Sequence, residues 1–276
     1  MTAGIDLHIH TTASDGRFSP QQIVDKAARL GLGVVAICDH DTIDGIAPAL
    51  EAARAWPQPT VIPGVEISTF APGNEVHILG YFIDYNNPRL KTALAELRNS
   101  RQERAQTMIA RLKKLNIDIN WQQVQQLAGG GAVGRPHIAQ VMLEKGYITS
   151  FTEAFDKYIG QGGSAYVERE KMTPAEAVEM IVRAKGLPVL AHPFTVTDPE
   201  ATVTELKPAG LVGIEAYYKD YSTDEIENLV SMAEKYDLIA TGGTDYHGLD
   251  DSSEIMLGGV DVPLESVEKL IALADK

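Results

Sequence analysis

Residues 5–10 read IDLHIH, and this stretch decides the architecture of the chain. Its apolar residues alternate with Asp6, His8 and His10. Strand side chains alternate between the two faces of a sheet, so both imidazoles point to the same side. Neutral imidazole is a common ligand of divalent metal ions. The stretch therefore predicts a β-strand that presents two metal ligands on one face.

Further short apolar runs, rich in β-branched residues, follow this first strand. We predict strands over 5–9, 34–38, 61–67, 76–83, 188–191, 212–216 and 238–241. Two intervening helices begin with a capping box, SPQQ at 19–22 and TPAE at 173–176, in which a hydroxyl residue precedes proline. Strands that alternate with helices indicate a mostly parallel sheet. An α/β fold with a closed or nearly closed barrel is therefore predicted.

Residues 86–171 interrupt this alternation, because they contain no strand pattern. A long polar helix is predicted over 89–115, followed by a glycine cluster at 129–131 and shorter helices at 122–127, 136–144 and 151–158. We therefore predict a barrel built from residues 1–85 and 172–276. Residues 86–171 would form an inserted, all-helical subdomain.

The composition restricts the class of protein. An apolar content of 44% supports a sizeable core, and no apolar run reaches the roughly 18 residues of a transmembrane helix. The single cysteine, Cys38, and the absence of an export leader favour a cytoplasmic protein with no membrane partner. A formal net charge of -14 argues against a protein that coats nucleic acid through a basic surface.

Histidine and carboxylate residues recur at the ends of the predicted strands. Asp245 and His247 repeat the spacing of His8 and His10, and the other candidates each follow or end a single run. The candidate metal ligands are His8, His10, Asp15, His40, Glu66, His77, His192, Asp245 and His247. Parallel β/α folds build active sites from the carboxyl ends of several strands, so one shared site is predicted.

Each of these positions has a simpler interpretation when it is taken alone. His77 or His192 in a β run is more often a core or surface residue than a metal ligand. Asp15 fits a turn, because Asp-Gly is a turn signal. Asp39 is interpreted as a carboxylate that orients a neighbouring imidazole. The joint pattern favours a shared metal site, because several coincidences at strand ends would otherwise be needed.

The ordered motifs DLHIHTTASDG, CDHD, GVEIS, LAHP and GTDYH resemble those of the PHP (polymerase and histidinol phosphatase) superfamily. The resemblance covers nearly the whole chain and implies a distorted (β/α)7 barrel. It also implies three divalent metal ions, with Mn favoured and Fe or Zn as alternatives. On this resemblance one ion binds His8, His10, Glu66 and Asp245, a second binds Asp15, His40 and His247, and a third binds Glu66, His77 and His192.

A site of this composition is expected to hydrolyse phosphate esters. Three divalent ions outweigh the charge of the carboxylates Asp15, Glu66 and Asp245, so an acidic protein would present a cationic pocket. Such ions activate a water molecule and neutralise phosphoryl oxygens. We assign Asp15, Glu66 and His247 as the catalytic residues, and the identity of the general acid stays open.

The helical insertion carries the clue to the substrate. Residues 89–114 contain eight basic and two acidic side chains, and for most of these a solvated helix face is the better interpretation. Arg135 and His137, in Gly-Arg-Pro-His, lie at a predicted helix start. There a guanidinium fork and an imidazole suit a phosphate group. The simpler alternative is a hinge followed by a surface histidine.

A PHP barrel with this insertion is similar to nucleoside 3′,5′-bisphosphate phosphatases, some of which are also described as 5′→3′ exonucleases on short RNA. The resemblance implies that Arg135 and His137 hold a 5′-phosphate while the metals cut the next phosphate along. One alternative is a histidinol-phosphate phosphatase, which has no obvious need for the insertion. The other is a non-enzymatic nucleotide or metal sensor, which the complete ligand set disfavours. The oligomeric state stays open.

Overall fold

A seven-stranded sheet forms the centre of the computed structural model, which describes residues 4–71, 74–129, 133–168, 172–248 and 256–276. The strands follow one another in the sheet in chain order. They are β1 (Gly4–Ile9), β2 (Leu32–Ile37), β3 (Thr60–Ala71), β4 (Asn74–Tyr81), β5 (Leu187–Leu190), β6 (Gly213–Tyr218) and β7 (Ile239–Gly243). The seven predicted strands are thus confirmed, with β3 extending beyond its predicted end.

The sheet is parallel except around β4. β3 and β4 form an antiparallel hairpin in which Ser68 lies opposite His77, and β4 is also antiparallel to β5. The prediction of a mostly parallel sheet is confirmed for the remaining pairs. Because β4 runs in the opposite direction, its first residues lie at the edge where the parallel strands have their carboxyl ends. His77, near the start of β4, is thereby brought to that edge.

The segment after β7 closes the barrel against β1. Ile9 forms a parallel bridge with Tyr246, and the backbone N–H of His10 donates to the Tyr246 carbonyl at 2.9 Å. The buried Asp6 carboxylate accepts from the backbone N–H groups of Thr244 at 3.0 Å and Gly258 at 2.9 Å. These bonds join β1 to the chain that follows the last strand, as the predicted, nearly closed barrel requires.

Helices cover the sheet and form the insertion. In the described part of the chain they are α1 (Pro20–Leu30), α2 (Ile46–Ala53), α3 (Pro88–Lys114), α4 (Trp121–Leu127), α5 (Arg135–Glu144), α6 (Phe151–Ala154), α7 (Pro174–Arg183), α8 (Pro199–Leu206), α9 (Thr223–Lys235) and α10 (Leu264–Ala274). Both predicted capping boxes are present, at Ser19 and Thr173. None of the described helices combines the length and apolar character that crossing a bilayer requires.

The insertion buries a core of its own. Its largest buried side chains include Met108, Leu112, Val124, Ile138 and Met142. These residues belong to α3, α4 and α5, and no residue of the barrel strands joins this cluster. The separate core supports the proposal that residues 86–171 form a helical subdomain. Gly130 and Gly131 of the predicted glycine cluster lie outside the described residues, as do residues 169–171 at the end of the insertion.

The long helix α3 belongs to both parts of the molecule. Leu90, Leu94 and Leu97 in its first half pack into the barrel core, whereas Met108 and Leu112 in its second half pack into the insertion. The predicted boundary at residue 86 lies between the last residue of β4 and the start of α3. The change from the barrel core to the insertion core occurs later, between Leu97 and Met108 of α3. The helix thus contributes side chains to the cores of both the barrel and the insertion.

Candidate metal centre

The barrel brings the nine predicted metal ligands together at one edge of the sheet. Their ligand atoms form overlapping groups within 4.8 Å: His8, His10, Glu66 and Asp245; His10, Asp15, His40 and His247; and His40, Glu66 and His77. His192 adjoins these groups, because its Nε2 lies 3.0 Å from Oε1 of Glu66. Side chains separated by as many as 239 residues in the chain, from His8 to His247, thus share one site.

Most of these residues lie just beyond the end of a strand, as predicted. His10, His40 and His192 follow β1, β2 and β5, and Asp245 follows β7. Glu66 is an exception, because it lies inside β3 and not at its end. The reason is the hairpin: β3 pairs first with β2 and then continues alongside β4 to Ala71. The prediction of a strand ending near Glu66 was therefore wrong.

Glu66 is the centre of the cluster, and its side chain is only 1% exposed. Oε1 lies 2.8 Å from Nδ1 of His77 and 3.0 Å from Nε2 of His192. Oε2 lies 2.9 Å from Nδ1 of His40 and 3.3 Å from Nε2 of both His8 and His10. A carboxylate offers about four acceptor positions, so it cannot satisfy five imidazoles by hydrogen bonding alone.

Several buried polar atoms of the cluster form no well-aligned hydrogen bond, although some of them lie close to one another. They are Nε2 of His8, both ring nitrogens of His10, Oδ1 of Asp15, Nδ1 of His40 and Oε2 of Glu66. Each such atom costs about 1–3 kcal/mol, and native proteins rarely leave several of them in one place. Cations bound between the nitrogens and the carboxylates would satisfy both. An imidazole and carboxylate set without thiolate suits Mn, Fe or Zn, so these residues fit divalent ions.

The carboxylates of the cluster favour their ionised forms. Burial raises the pKa of Glu66, but the imidazoles led by His40 outweigh it and hold this pKa well below the usual range. The pKa values of Asp15 and Asp245 are lowered in the same way, against burial, by neighbouring histidines. Burial lowers the pKa of His40 to about 4, whereas Asp245 and Glu66 outweigh burial at His10 and raise its pKa to about 10.

Glu215 holds two of the histidines in place, although it was not among the predicted site residues. One of its oxygens lies 2.9 Å from Nδ1 of His8, and the other accepts from the backbone N–H of His192 at 2.7 Å. The bond to Nδ1 leaves Nε2 of His8 to face the cluster, which is how carboxylates orient metal-binding imidazoles. Glu215 is fully buried inside β6. Glu215 is the lone carboxylate in the apolar run 212–216, and such a residue in a buried strand could have been recognised as one that needs polar partners.

We expect Glu215→Gln to weaken Mn²⁺ binding about 10- to 100-fold. The two hydrogen bonds of Glu215 use different oxygens, and an amide retains only one acceptor oxygen. Titration calorimetry on the metal-free protein would measure the affinity. Glu227→Gln, on the exposed face of α9, is the matched control. Equal affinity in both variants would contradict the role of Glu215.

Asp39 does not orient an imidazole, so that prediction was wrong. Its carboxylate accepts from the backbone N–H of Thr11 at 2.7 Å, from the Thr11 hydroxyl at 2.8 Å and from the Ser14 hydroxyl at 2.6 Å. The bonds to Thr11 and Ser14 stabilise the turn that carries Asp15.

Three arginines of the insertion reach the ligand cluster. Arg101 bonds to Asp41 and Ser68, and Arg104 and Arg135 bond to the two oxygens of Glu75. These arginines line one cavity together with the ligands Asp15, His40, His77 and His247. The arginines hold the pKa of Glu75 at about 2, against the effect of burial, so this carboxylate is ionised. The cavity therefore joins predicted metal ligands to guanidinium groups.

Arg101 and Arg104 were not predicted as site residues, because the basic residues of α3 were interpreted as a solvated face. Their side chains are only 12% and 10% exposed. The buried stripe of α3 includes Leu94 and Leu97, three residues apart, and Met108, eleven residues further on. Positions 101 and 104 continue that stripe, so helical periodicity was the signal that could have found them.

The two predicted phosphate-binding residues are placed differently. Arg135 lines the cavity, and its guanidinium carbon lies 5.4 Å from the centre of the Phe155 ring. His137 is buried beneath the start of α5 and does not line this cavity. Its Nδ1 accepts from the backbone N–H of Gly134 at 3.0 Å. Only Nε2 of His137 could therefore donate to a phosphate.

The chain is similar to known proteins over most of its length. The model of the PHP domain family matches residues 6–168. The 5′-3′ exoribonuclease Rnm of Escherichia coli is 36% identical over 255 residues, which cover 88% of this chain and 84% of that protein. The 3′,5′-nucleoside bisphosphate phosphatase of Chromobacterium violaceum is 32% identical over 255 residues, covering 89% and 87%. A crystal structure from Bifidobacterium adolescentis, inferred to be a metal-dependent phosphoesterase, superposes with a TM-score of 0.90 at 28% identity, covering 99% and 97%.

Proposed function

The chain belongs to the PHP domain family and is a phosphate-ester hydrolase, and on that premise we propose that its substrates are nucleotides with a 5′-phosphate. The proposed reactions are removal of the 3′-phosphate from nucleoside 3′,5′-bisphosphates and 5′→3′ cleavage of short RNA. The observation that carries this proposal is the shared cavity, in which arginines of the insertion lie beside predicted metal ligands. The exoribonuclease and phosphatase among the similar proteins support it.

We assign the nine ligands to three divalent ions, with Mn favoured. The division is that implied by the family: His8, His10, Glu66 and Asp245; Asp15, His40 and His247; and Glu66, His77 and His192. The distances from Glu66 to imidazoles on both of its oxygens support a bridging role for this carboxylate. When bound, such ions activate a water molecule and neutralise charge on the phosphoryl group.

Asp15 and His247 would act at the face of the site that meets the substrate. Both line the cavity, whereas Glu66 is buried behind them. Nδ1 of His247 lies 2.9 Å from the carbonyl oxygen of Asp245, to which it donates, so Nε2 is the nitrogen that faces Asp15, at 3.4 Å. The hydrogen bond fixes the ring, and Asp15 is held in turn by its own loop. Both side chains are thus positioned before a substrate arrives.

The 5′-phosphate would bind to the arginines. Arg135 and Arg104 are held together by Glu75, and each guanidinium has further N–H groups that can donate to a phosphate. Arg101, bonded to Asp41 and Ser68, adds positive charge on the same side of the cavity. His137, which does not line the cavity, would act indirectly, by positioning the start of the helix that carries Arg135.

One binding mode accounts for both proposed activities. A 5′-phosphate on the arginines places the phosphate on the 3′ oxygen of the same ribose at the ligand cluster. Hydrolysis then breaks the bond between phosphorus and the 3′ oxygen in either substrate: water adds hydroxide to phosphorus, and the 3′ oxygen leaves and takes up a proton. A bisphosphate yields a nucleoside 5′-phosphate and inorganic phosphate, and RNA yields a nucleoside 5′-phosphate and a shortened 5′-phosphorylated chain.

A panel of three substrates tests this proposal. Mn-supplemented protein is offered adenosine 3′,5′-bisphosphate, histidinol phosphate and a 5′-phosphorylated RNA trinucleotide, and release of phosphate or of AMP is measured. We expect preference for the bisphosphate and the trinucleotide over histidinol phosphate, which has no second phosphate for the arginines. Preference for histidinol phosphate would overturn the nucleotide assignment. Absence of all three activities in metal-loaded protein would favour a sensor.

A further inference from the structure

An aromatic surface lies beside the ligand cluster, on residues that the proposed reaction does not use. Phe194, Tyr218 and Tyr221 form this surface, which we call the aromatic shelf. The ring centres of Phe194 and Tyr221 are 4.9 Å apart at 71°, and those of Tyr218 and Tyr221 are 5.0 Å apart. Phe194 is 41% exposed, although it belongs to this ring cluster. The shelf therefore presents an apolar ring to incoming molecules.

Two candidate metal ligands anchor the shelf. Phe194 lies two residues after His192, and its backbone N–H donates to the hydroxyl of Tyr221 at 3.1 Å. Tyr218 ends β6 at the edge of the barrel that carries the site. Its hydroxyl donates to Oδ2 of Asp245 at 2.9 Å, and its ring centre lies 6.0 Å from that of His192. The shelf is thus continuous with the ligand cluster and held rigidly to it.

The shelf and the arginine cavity meet different members of the ligand cluster. The cavity is lined by Asp15, His40, His77 and His247, and none of the three shelf residues lines it. The shelf instead contacts His192 and Asp245. A substrate whose 5′-phosphate lies on the arginines would pass the ligand cluster before it reaches the shelf. The shelf is therefore suited to the part of the substrate beyond the scissile phosphate.

Lys219 adds positive charge at the shelf. Its Nζ donates to the carbonyl of Asp245 at 3.2 Å and lies 5.4 Å from the centre of the Tyr218 ring. Aromatic faces beside a cation are the combination with which proteins bind single-stranded nucleic acid: rings stack on bases, and cations follow the phosphates. A small phosphate monoester such as histidinol phosphate has no base to place there.

We propose that the aromatic shelf binds the base of the nucleotide on the 3′ side of the scissile phosphate. This inference rests on the proposed function. When the bond to the 3′ oxygen breaks in RNA, the phosphate stays on the 5′ oxygen of the following nucleotide, which must lie beyond the ligand cluster. A nucleoside 3′,5′-bisphosphate has no such nucleotide. The shelf is therefore a specificity element for RNA and has no part in bisphosphate hydrolysis.

Phe194→Ala tests the shelf directly. Stacking on one aromatic ring accounts for about 5- to 100-fold in binding a base. We expect kcat/KM on a 5′-phosphorylated RNA trinucleotide to fall by this factor, with kcat/KM on adenosine 3′,5′-bisphosphate unchanged. Phe194→Tyr retains a ring and should retain RNA cleavage. Trp56→Ala, which removes a partly exposed ring that bonds to Asp25 of α1 and lies far from the shelf in sequence, is the control.

An altered substrate identifies the group that the shelf recognises. A trinucleotide with an abasic second residue should lose the same factor with the unmodified protein, and Phe194→Ala should cause no further loss. Equal losses on the bisphosphate and on RNA would overturn the proposal, as would undiminished RNA cleavage by Phe194→Ala. Unmodified protein that hydrolyses the bisphosphate but not RNA would overturn the shelf alone. Unmodified protein inactive on both would overturn the proposed function itself.

Discussion

Glu66→Gln should remove metal from the cluster and lower kcat/KM on adenosine 3′,5′-bisphosphate by about 10³-fold or more. The reason is that both oxygens of Glu66 lie within 3.3 Å of imidazole nitrogens, five in all. An amide replaces one of these oxygens with an N–H donor, which cannot bind a cation. Metal ions contribute several kcal/mol of transition-state stabilisation, and such a loss corresponds to about 10³-fold in rate.

Metal analysis by mass spectrometry and steady-state kinetics would measure both effects on the same sample. Glu51→Gln is the matched control, because Glu51 lies on α2 of the barrel and its side chain is 71% exposed. Unchanged thermal unfolding of the Glu66 variant in chelator would show that the fold is intact. A folded Glu66→Gln variant that keeps its metal and most of its activity would refute the central position of this carboxylate.

Arg135→Ala should raise KM for substrates that carry a 5′-phosphate and leave the kinetics of substrates without one unchanged. Hydrogen bonds to charged groups contribute about 1.5–3 kcal/mol, so we expect KM for adenosine 3′,5′-bisphosphate to rise about 10- to 100-fold. Adenosine 3′-phosphate has no group for this arginine, and its kinetics should not change. Arg135→Lys should give a KM for the bisphosphate between those of the unmodified protein and Arg135→Ala, because an ammonium keeps the charge but lacks the planar fork. Steady-state kinetics on both substrates measures the ratio.

Arg98→Ala provides the comparison for this variant. Arg98 also belongs to the insertion, but it pairs with the exposed Asp44 and does not line the cavity. Its removal should leave the preference for the bisphosphate intact. If Arg135→Ala also left that preference unchanged, the guanidinium of Arg135 would have no role in holding the 5′-phosphate.

The strands and the clustering of the nine candidate ligands could be predicted, because both follow from local patterns. In residues 5–10 the alternation of apolar and polar residues determines which face carries His8 and His10. The direction of β4 could not be predicted in this way. Alternation with a period of two is the same in either direction, so the run at 76–83 did not show that His77 begins an antiparallel strand.

The remaining site residues depend on tertiary contacts. Arg104 is a site residue because Glu75, on β4, lies opposite it, and nothing in α3 alone identifies that partner. His137 could be placed near a helix start from its sequence, but the bond that its Nδ1 accepts from the backbone N–H of Gly134 is evident only in the fold. Glu215 was detectable, because a buried carboxylate within a strand requires partners. Its two partners became evident only in the folded barrel.

Removal and restoration of metal tests the proposed centre most directly. Protein stripped with chelator and shown by mass spectrometry to be metal-free should release no phosphate from adenosine 3′,5′-bisphosphate. Addition of Mn²⁺ should restore release to the rate of the untreated protein, because the buried imidazoles and carboxylates around Glu66 are arranged to bind cations. Metal-free protein that still hydrolyses the bisphosphate at the untreated rate would contradict a metal-dependent site.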